Sequence, residues 1–439
     1  EKELVRAHME QIESDMAALG RNARGPGHQA LGTAHLALFE PYEARDQLQL
    51  AWDAGNESPE VAYGLAVALG DIYQREREAV EARYSKDLRA EKIAEVAREF
   101  RDPAVEWLRL AEESERISPD YASALIAFHE DRFDDALAQA SQALEGRPWL
   151  YEAWILQGLV YSQQGLQRSL DGDREGAVRA YELGEYAFRA AEQIAPSDVR
   201  IQEGLTRLYL RRYTHRLLGD LRHDDRRRLL ESADLGVEMD AERADLQAVR
   251  CNAYETEARW RYGSGEDAQA SLDVAIEAGK AAVALTPHGI QGREQLASAY
   301  NYQAFLDGMR GVDPRHSLRN AQALLEEALA VQPTYQVHVE LAQTLQRLGL
   351  YELNHGLDPL PSLDASVQAL RRAMELRPTT SRPRVLLSEG LHLQGFALYL
   401  QGEDPTVLYQ EALEAAAPHK ENDPFESWLA VQAGYVHMD

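Results

Sequence analysis

A proline closes one segment of this chain after another at almost constant spacing. Pro148, Pro196, Pro287, Pro333, Pro378 and Pro418 keep a beat that is broken once, at Ala241, and the successive intervals are 48, 45, 46, 46, 45 and 40 residues. Proline lacks the backbone donor that a helix interior needs and disfavours helical backbone in the residue before it, so each one marks a helix end. A fixed period of this length is the mark of stacked supersecondary units, none of which can bury its apolar face alone. Such stacks offer long continuous surfaces, which suit the binding of other chains.

The 439 residues exceed what one compact core holds, and no shift in composition cuts them into separate globular domains. Ala, Leu, Glu, Arg and Gln dominate, while runs of Val, Ile and Thr are absent, which predicts an all-α chain. Lys and Arg number 46 against 73 Asp and Glu, and the net charge of -27 opposes attachment to nucleic acid or to an anionic membrane surface. No apolar run approaches the roughly 20 residues that span a bilayer. The start, Glu1-Lys2-Glu3-Leu4, has neither a signal peptide nor an initiator Met, so a piece of a longer cytoplasmic protein is expected. The one cysteine, Cys251, excludes an intrachain disulfide framework and a cysteine-based metal cluster, and suits a reducing compartment.

Within residues 120–148, Ala124, Ala136 and Ala143 stand 24, 12 and 5 residues before the closing proline, where small side chains let two antiparallel helices approach. The next unit opens with Trp154, Gly158 and Tyr161, which share one helix face. These spacings resemble the tetratricopeptide repeat (TPR), whose first helix carries a large, a small and an aromatic residue and whose second carries alanines before a proline. Gly32, Ala44 and Ala51 repeat the pattern earlier in the chain. The resemblance implies an α-α superhelix, a right-handed solenoid of helical hairpins. The departure is the period, near 46 where the ordinary repeat has 34.

The added residues can be placed. Gly265-Glu266-Asp267, Gly311-Val312-Asp313-Pro314, Gly356-Leu357-Asp358-Pro359 and Gly402-Glu403-Asp404-Pro405 recur between the first and second helix of each unit. Gly can take the left-handed conformation that stops a helix, Asp can accept from free amides at the next helix start, and Pro fits that helix's first turn. Long first helices follow. Calcium ligation is the rival reading of these aspartates, but one carboxylate per turn falls far short of the six or more oxygens that calcium takes.

The expected organisation is a lead-in helix over residues 1–25, a first unit over 26–58 and an extended helical hairpin over 59–118, in which Arg101-Asp102-Pro103 restarts a helix. A unit over 119–148 follows, then six long ones over 149–196, 197–241, 242–287, 288–333, 334–378 and 379–418. Residues 419–439, with Trp428 and Tyr435 on one face, read either as a cap or as the first helix of a further unit.

Four strings, Gly25-Pro26-Gly27-His28, Pro59-Glu60-Val61-Ala62-Tyr63-Gly64-Leu65, Arg101-Asp102-Pro103-Ala104 and Pro148-Trp149-Leu150-Tyr151-Glu152-Ala153, carry a narrower likeness. Together they resemble the repeat-bearing C-terminal region of certain large bacterial serine/threonine protein kinases. That resemblance implies a kinase domain ahead of the repeats. The chain itself carries no kinase motif: Gly25, Gly27 and Gly32 lack the spacing of a phosphate loop, and His-Arg-Asp and Asp-Phe-Gly strings are absent.

Catalytic, cofactor and metal sites are not expected. The thirteen histidines form no metal-binding spacing, and His129-Glu130 has no second His four residues on. Cys251 lies ten residues after Ala241, as Gly158 lies ten after Pro148, so it takes the small-residue packing position. Ser264 belongs to a turn, and paired carboxylates say nothing without a pocket.

One stretch breaks the acidic pattern. Nine arginines (200, 207, 211, 212, 216, 222, 226, 227 and 228) with His215 and His223 stand between residues 200 and 228. Two readings stand open: a solvated helix pair balanced by Asp220, Asp224 and Asp225, or a docking patch for an acidic or phosphorylated segment, which guanidinium forks bind bidentately. In the repeat family the first helices line the concave groove. Carried over by spacing, the candidate partner-binding residues are Arg200, Glu203, Arg207, Arg211 and Arg212, then Asn252 and Glu255, then Glu294, Asn301 and Tyr302, and finally Glu340 and Arg347. The expected partner is a protein or peptide, and the expected role is a non-catalytic scaffold; a free-standing adaptor with another effector is the alternative.

Overall fold

The computed structural model of the chain describes residues 2–83, 86–111, 118–214, 223–287, 289–378 and 380–416. Everything regular among them is helical. In chain order the helices are α1 (Lys2–Leu19), α2 (Arg21–Ala37), α3 (Pro41–Asp53), α4 (Pro59–Arg83), α5 (Lys86–Val96), α6 (Asp102–Ala111), α7 (Pro119–His129), α8 (Phe133–Gly146), α9 (Tyr151–Leu170) and α10 (Arg174–Ile194). They continue with α11 (Val199–Thr214), α12 (His223–Met239), α13 (Ala244–Gly263), α14 (Gln269–Leu285), α15 (Gln291–Met309), α16 (Arg315–Val331), α17 (Tyr335–Asn354), α18 (Leu360–Leu376), α19 (Ser381–Leu400) and α20 (Thr406–Ala416). A π-helical turn, Ala97–Arg101, joins α5 to α6.

Within the first of two compact units α2 with α3, α7 with α8 and α9 with α10 pair as hairpins, and within the second α13 with α14, α15 with α16, α17 with α18 and α19 with α20 do the same, a TPR-like solenoid architecture. The proline beat marks the end of each second helix, since α8, α10, α14, α16 and α18 stop at Gly146, Ile194, Leu285, Val331 and Leu376, two residues before Pro148, Pro196, Pro287, Pro333 and Pro378. Two compact units result: Glu1–Val80 with Ala90–Gly219, and Glu81–Arg89 with Asp220–Asp439.

The turns between paired helices are as their composition predicts. Gly265, Gly311, Gly356 and Gly402 have φ of 77°, 71°, 69° and 79°, the left-handed region where a Cβ is costly. The carboxylates of Asp267, Asp313, Asp358 and Asp404 each accept from the backbone N–H two residues on, at 3.1, 3.0, 3.1 and 3.0 Å. The recurrent aspartates therefore hold the start of each second helix. Helices α7 and α8 have 11 and 14 residues, whereas α17 and α18 have 20 and 17. The first helix thus takes nine of the dozen added residues and the second takes three, so the lengthening is shared where the turn alone suggests the first helix.

Small residues receive rings from the partner helix. Phe188 of α10 is fully buried between Gly158 of α9 and Gly204 of α11, where an added Cβ would stand 2.8 and 2.5 Å from the ring. Tyr181 fills the space beside Gly165 in the same way. Ala44, Ala51, Ala124, Ala136 and Ala143 are all fully buried. Cys251 is buried with its Sγ facing Gly279, and burial pushes its thiol well above the ordinary range, as an inert packing residue requires.

Two boundaries differ from the sequence reading. The first hairpin begins at Arg21, after a break at Gly20 with φ 73°, so Pro26 lies inside α2 instead of opening it. Asp102 does not restart a helix: its backbone is helical, its carboxylate binds the adjacent Arg101 at 2.7 Å, and the π turn carries α5 into α6. Trp428, Tyr435, His215, Arg216, Asp220 and Arg222 lie outside the described residues.

Candidate functional site

In the second unit, consecutive first helices touch one another, α13 with α15, α15 with α17 and α17 with α19. Second helices pack against first helices on the other side. First helices therefore form a side-by-side row through this unit. The same ladder register repeats along it: Ser298 donates to Glu255 at 2.9 Å, and Asn301 and Thr344 exchange bonds of 2.9 and 3.1 Å, each pair 43 residues apart.

The candidate residues of this unit lie on the helices of that row, Asn252 and Glu255 on α13, Glu294, Asn301 and Tyr302 on α15, and Glu340 and Arg347 on α17. Glu255, nearly buried, also accepts from Arg259 at 2.8 Å, and the Arg259 guanidinium lies 4.5 Å from the centre of the Tyr302 ring. Tyr302 donates to the Ala258 carbonyl at 3.4 Å. Asn252 accepts from Thr256 at 3.4 Å. Asn301, Tyr302 and Glu255 are thereby occupied in joining helices.

Glu294, Glu340 and Arg347 behave differently. The Glu294 carboxylate has no hydrogen bond or ion pair among the described residues, and burial followed by the neighbouring Glu340 raises it to about 7. Glu340 accepts from Gln336 at 2.6 Å through Oε1, while its Oε2 is shielded from solvent and has no partner. Burial raises Glu340 as well, with Glu255 adding to the shift. Arg347 is exposed and unpaired among the described residues, yet loss of surrounding water and the nearby Arg259 push its guanidinium below its ordinary value.

Spacing alone does not point to Glu389 of α19, which joins them. It is unpaired among the described residues, and burial raises it against the pull of His392 and Arg347. The signal was obscured because α17 and α19 meet at offsets of 39 and 40 residues, through Arg382 to Gln343 and Gln346 to the Leu386 carbonyl, and not at the sequence period.

In the first unit the charges are closed off. Arg200 donates to Asp198 at 2.5 Å; burial works against its charge, and the Asp198 bond more than offsets this. Arg207 pairs with Glu203 at 3.0 Å, and Arg211 donates to Ser162 at 3.1 Å. Arg212 is buried in an ion pair with Glu185 of α10 at 3.2 Å, so it belongs to the packed seam between α10 and α11 and not to the surface on which spacing placed it. In the second unit Arg226 is likewise buried against Glu257, at 2.6 Å, and Arg227 pairs with Glu231 at 3.2 Å. The charged face is thus used within the chain.

No described group of three or more His, Cys, Asp or Glu could hold a metal ion, and no described helix is long and apolar enough to cross a membrane.

No family model matches the chain, and no curated protein matches it. Solved structures do. A thermophilic TPR protein of Thermus thermophilus is 19% identical, with a TM-score of 0.36 over 52% of this chain and 98% of that one. The human IFIT1 dimer with m7Gppp-AAAA is 15% identical, with a TM-score of 0.36 over 90% of each chain. Yeast Tom70 is 11% identical, with a TM-score of 0.34 over 99% of this chain and 96% of that one. At such identities and scores these likenesses carry no argument about function.

Proposed function

We propose that this chain is a non-catalytic helical-repeat scaffold that holds an extended polypeptide on the inner face of its second unit. One observation carries the reading: Glu294, Glu340, Arg347 and Glu389 stand on three consecutive first helices, crowded by protein, with Glu340 Oε2, Glu294, Arg347 and Glu389 all lacking partners among the described residues. Crowded charges in folded proteins are normally paired, because each unpaired one is costly, and exceptions cluster where a ligand completes them. A chain laid along the face supplies both donors and acceptors. The arginines of α11, by contrast, already have internal partners.

A selection of random twelve-residue peptides on the protein tests this. Enriched peptides should bind Arg347→Glu at least tenfold more weakly than the parent. Peptides that bind the variant equally well would place the binding surface elsewhere.

The wider role we infer is that of the docking and sensing region of a bacterial serine/threonine kinase whose catalytic domain lies outside this chain. The four strings around Gly25, Pro59, Arg101 and Pro148 support it. Reading the genomic sequence upstream of Glu1 decides it: kinase motifs there uphold the linkage, and a DNA-binding or protease-like domain replaces it with an adaptor role for the same scaffold.

A further inference from the structure

Resting on the groove reading, we propose that Glu294 and Glu340 form a subsite for one cationic side chain, a lysine or an arginine of the bound polypeptide. The register of the face puts the two carboxylates together. Asn301 and Thr344 are hydrogen-bonded across α15 and α17 at an offset of 43 residues, so Glu340, one turn before Thr344, stands level with Ala297. Glu294 is the groove position one turn before Ala297 on the same helix. Two negative groups therefore flank one spot.

Neither is neutralised by the protein. The neighbouring cation on α13, Arg259, is held by Glu255, and Arg293 beside Glu294 is turned away into Glu327 at 3.0 Å and the carbonyl of Gly289 at 2.7 Å. Arg382 donates to Gln343 at 3.1 Å. Glu340 Oε2 is left shielded and without a hydrogen bond, the arrangement that an incoming N–H donor satisfies. Burial, and after it the nearby Glu340, lifts Glu294 to about 7, and the repulsive part is relieved by the same donor.

The chemistry favours an organic cation over a metal. Among the described residues no group of three or more His, Cys, Asp or Glu gathers here to hold a metal ion. An ammonium or guanidinium group needs acceptors on two sides, which a pair of carboxylates one helix apart provides.

The peptides selected on the intact chain supply the probe. Arg347-sensitive peptides should share a Lys or Arg at one fixed position, and replacing it by norleucine should weaken binding about tenfold or more. Against Glu294→Gln or Glu340→Gln the same replacement should cost clearly less than in the parent, because one of the two carboxylates is gone, and against the double variant it should change binding less than twofold. Circular dichroism and the unfolding midpoint show whether each variant is folded; the cycle is read on whichever variants are. Arg347-sensitive peptides with no fixed cation, or with a cation whose replacement costs the same in parent and variants, would overturn the subsite and leave the groove standing. Peptides indifferent to Arg347 would overturn the groove, and the subsite with it.

Discussion

Arg207 and Arg212 both lie on α11, and their surroundings differ enough for mutation to separate them. Arg207 forms an i,i+4 pair with Glu203 at 3.0 Å in which its side chain keeps 35% of its exposure. Pairs of that kind contribute at most about 1 kcal/mol, because water already solvates both ends. Arg212 keeps 7% and Glu185 keeps 15%, so removing the guanidinium takes the cation away from a carboxylate in a poorly solvated place, which also accepts from the Tyr209 hydroxyl at 2.7 Å. Arg212→Ala should therefore cost about 2–4 kcal/mol and Arg207→Ala less than about 1 kcal/mol. Urea denaturation of the two variants compares them directly. Equal costs would mean that Arg212 is not the core residue its burial indicates. Sequence spacing grouped the two because it reports which turn of a helix a residue occupies and not which way the charge partner lies.

At the scale of the helix pair, glycine does two different things, and substitution tells them apart. Gly158 and Gly204 are helical positions pressed against Phe188, and Gly356 stops α17 with a φ of 69°. Alanine at Gly158 drives a methyl into the ring, so Gly158→Ala should destabilise by about 1–3 kcal/mol. Alanine at Gly356 meets no atom within 4 Å and costs only the left-handed backbone, about 1 kcal/mol. A conservative repair distinguishes the mechanisms: Phe188→Leu should recover part of the loss at Gly158 and none at Gly356, as a double-mutant cycle in urea would register. If both losses respond alike, the packing account of Gly158 is wrong. The pattern of small residues, proline stops and Gly-x-Asp-Pro turns was legible because each is fixed by backbone physics that acts within a few residues. The π turn at Ala97–Arg101 was not, since Arg101-Asp102-Pro103 has the composition of a helix start and only packing keeps the helix running through it. The proposed groove is legible in part for a related reason. Glu294, Glu340 and Arg347 follow from the period, whereas Glu389 depends on how far α19 slides along α17, which is a property of side-chain packing between hairpins.

Across the whole molecule, His129 in the first unit and Glu294 in the second shift stability with pH in opposite directions; in the second unit the raised Glu340 and Glu389 act with Glu294, and the lowered His338 acts against it. His129, on α7 in the first unit, is lowered to about 4 by burial, with Nδ1 shielded and unbonded and the ring beside Gly70 and Tyr73. Its unfolded form binds a proton near pH 6.5, so below that value the unfolded state takes up protons that the folded state refuses. Stability is present above pH 6.5 and is lost as pH falls toward 4. Glu294, in the second unit, has the reverse sign. Its carboxyl is raised from 4.5 to about 7, so between those values the folded state holds the extra proton, and the stability present below pH 4.5 is lost as pH rises through 7. Each effect amounts to about 2 kcal/mol between pH 5 and 7.5. Because a stack of repeats unfolds locally, with each hairpin bound mainly to its neighbours, the two effects need not cancel in a single global transition. Hydrogen exchange corrected for intrinsic rates resolves them: on going from about pH 7.5 to about 5, opening of α7 and α8 should become easier while opening of α15 and α17 becomes harder. His129→Gln should flatten the first trend and Glu294→Gln the second, each leaving the other intact. Trends of the same sign in both units, or trends that survive the substitutions, would show that other groups govern the response. The Glu294 arm also bears on binding, since a cation seated between Glu294 and Glu340 must displace that proton, and affinity for the selected peptides should therefore rise from about pH 6 to about pH 8 by up to about tenfold.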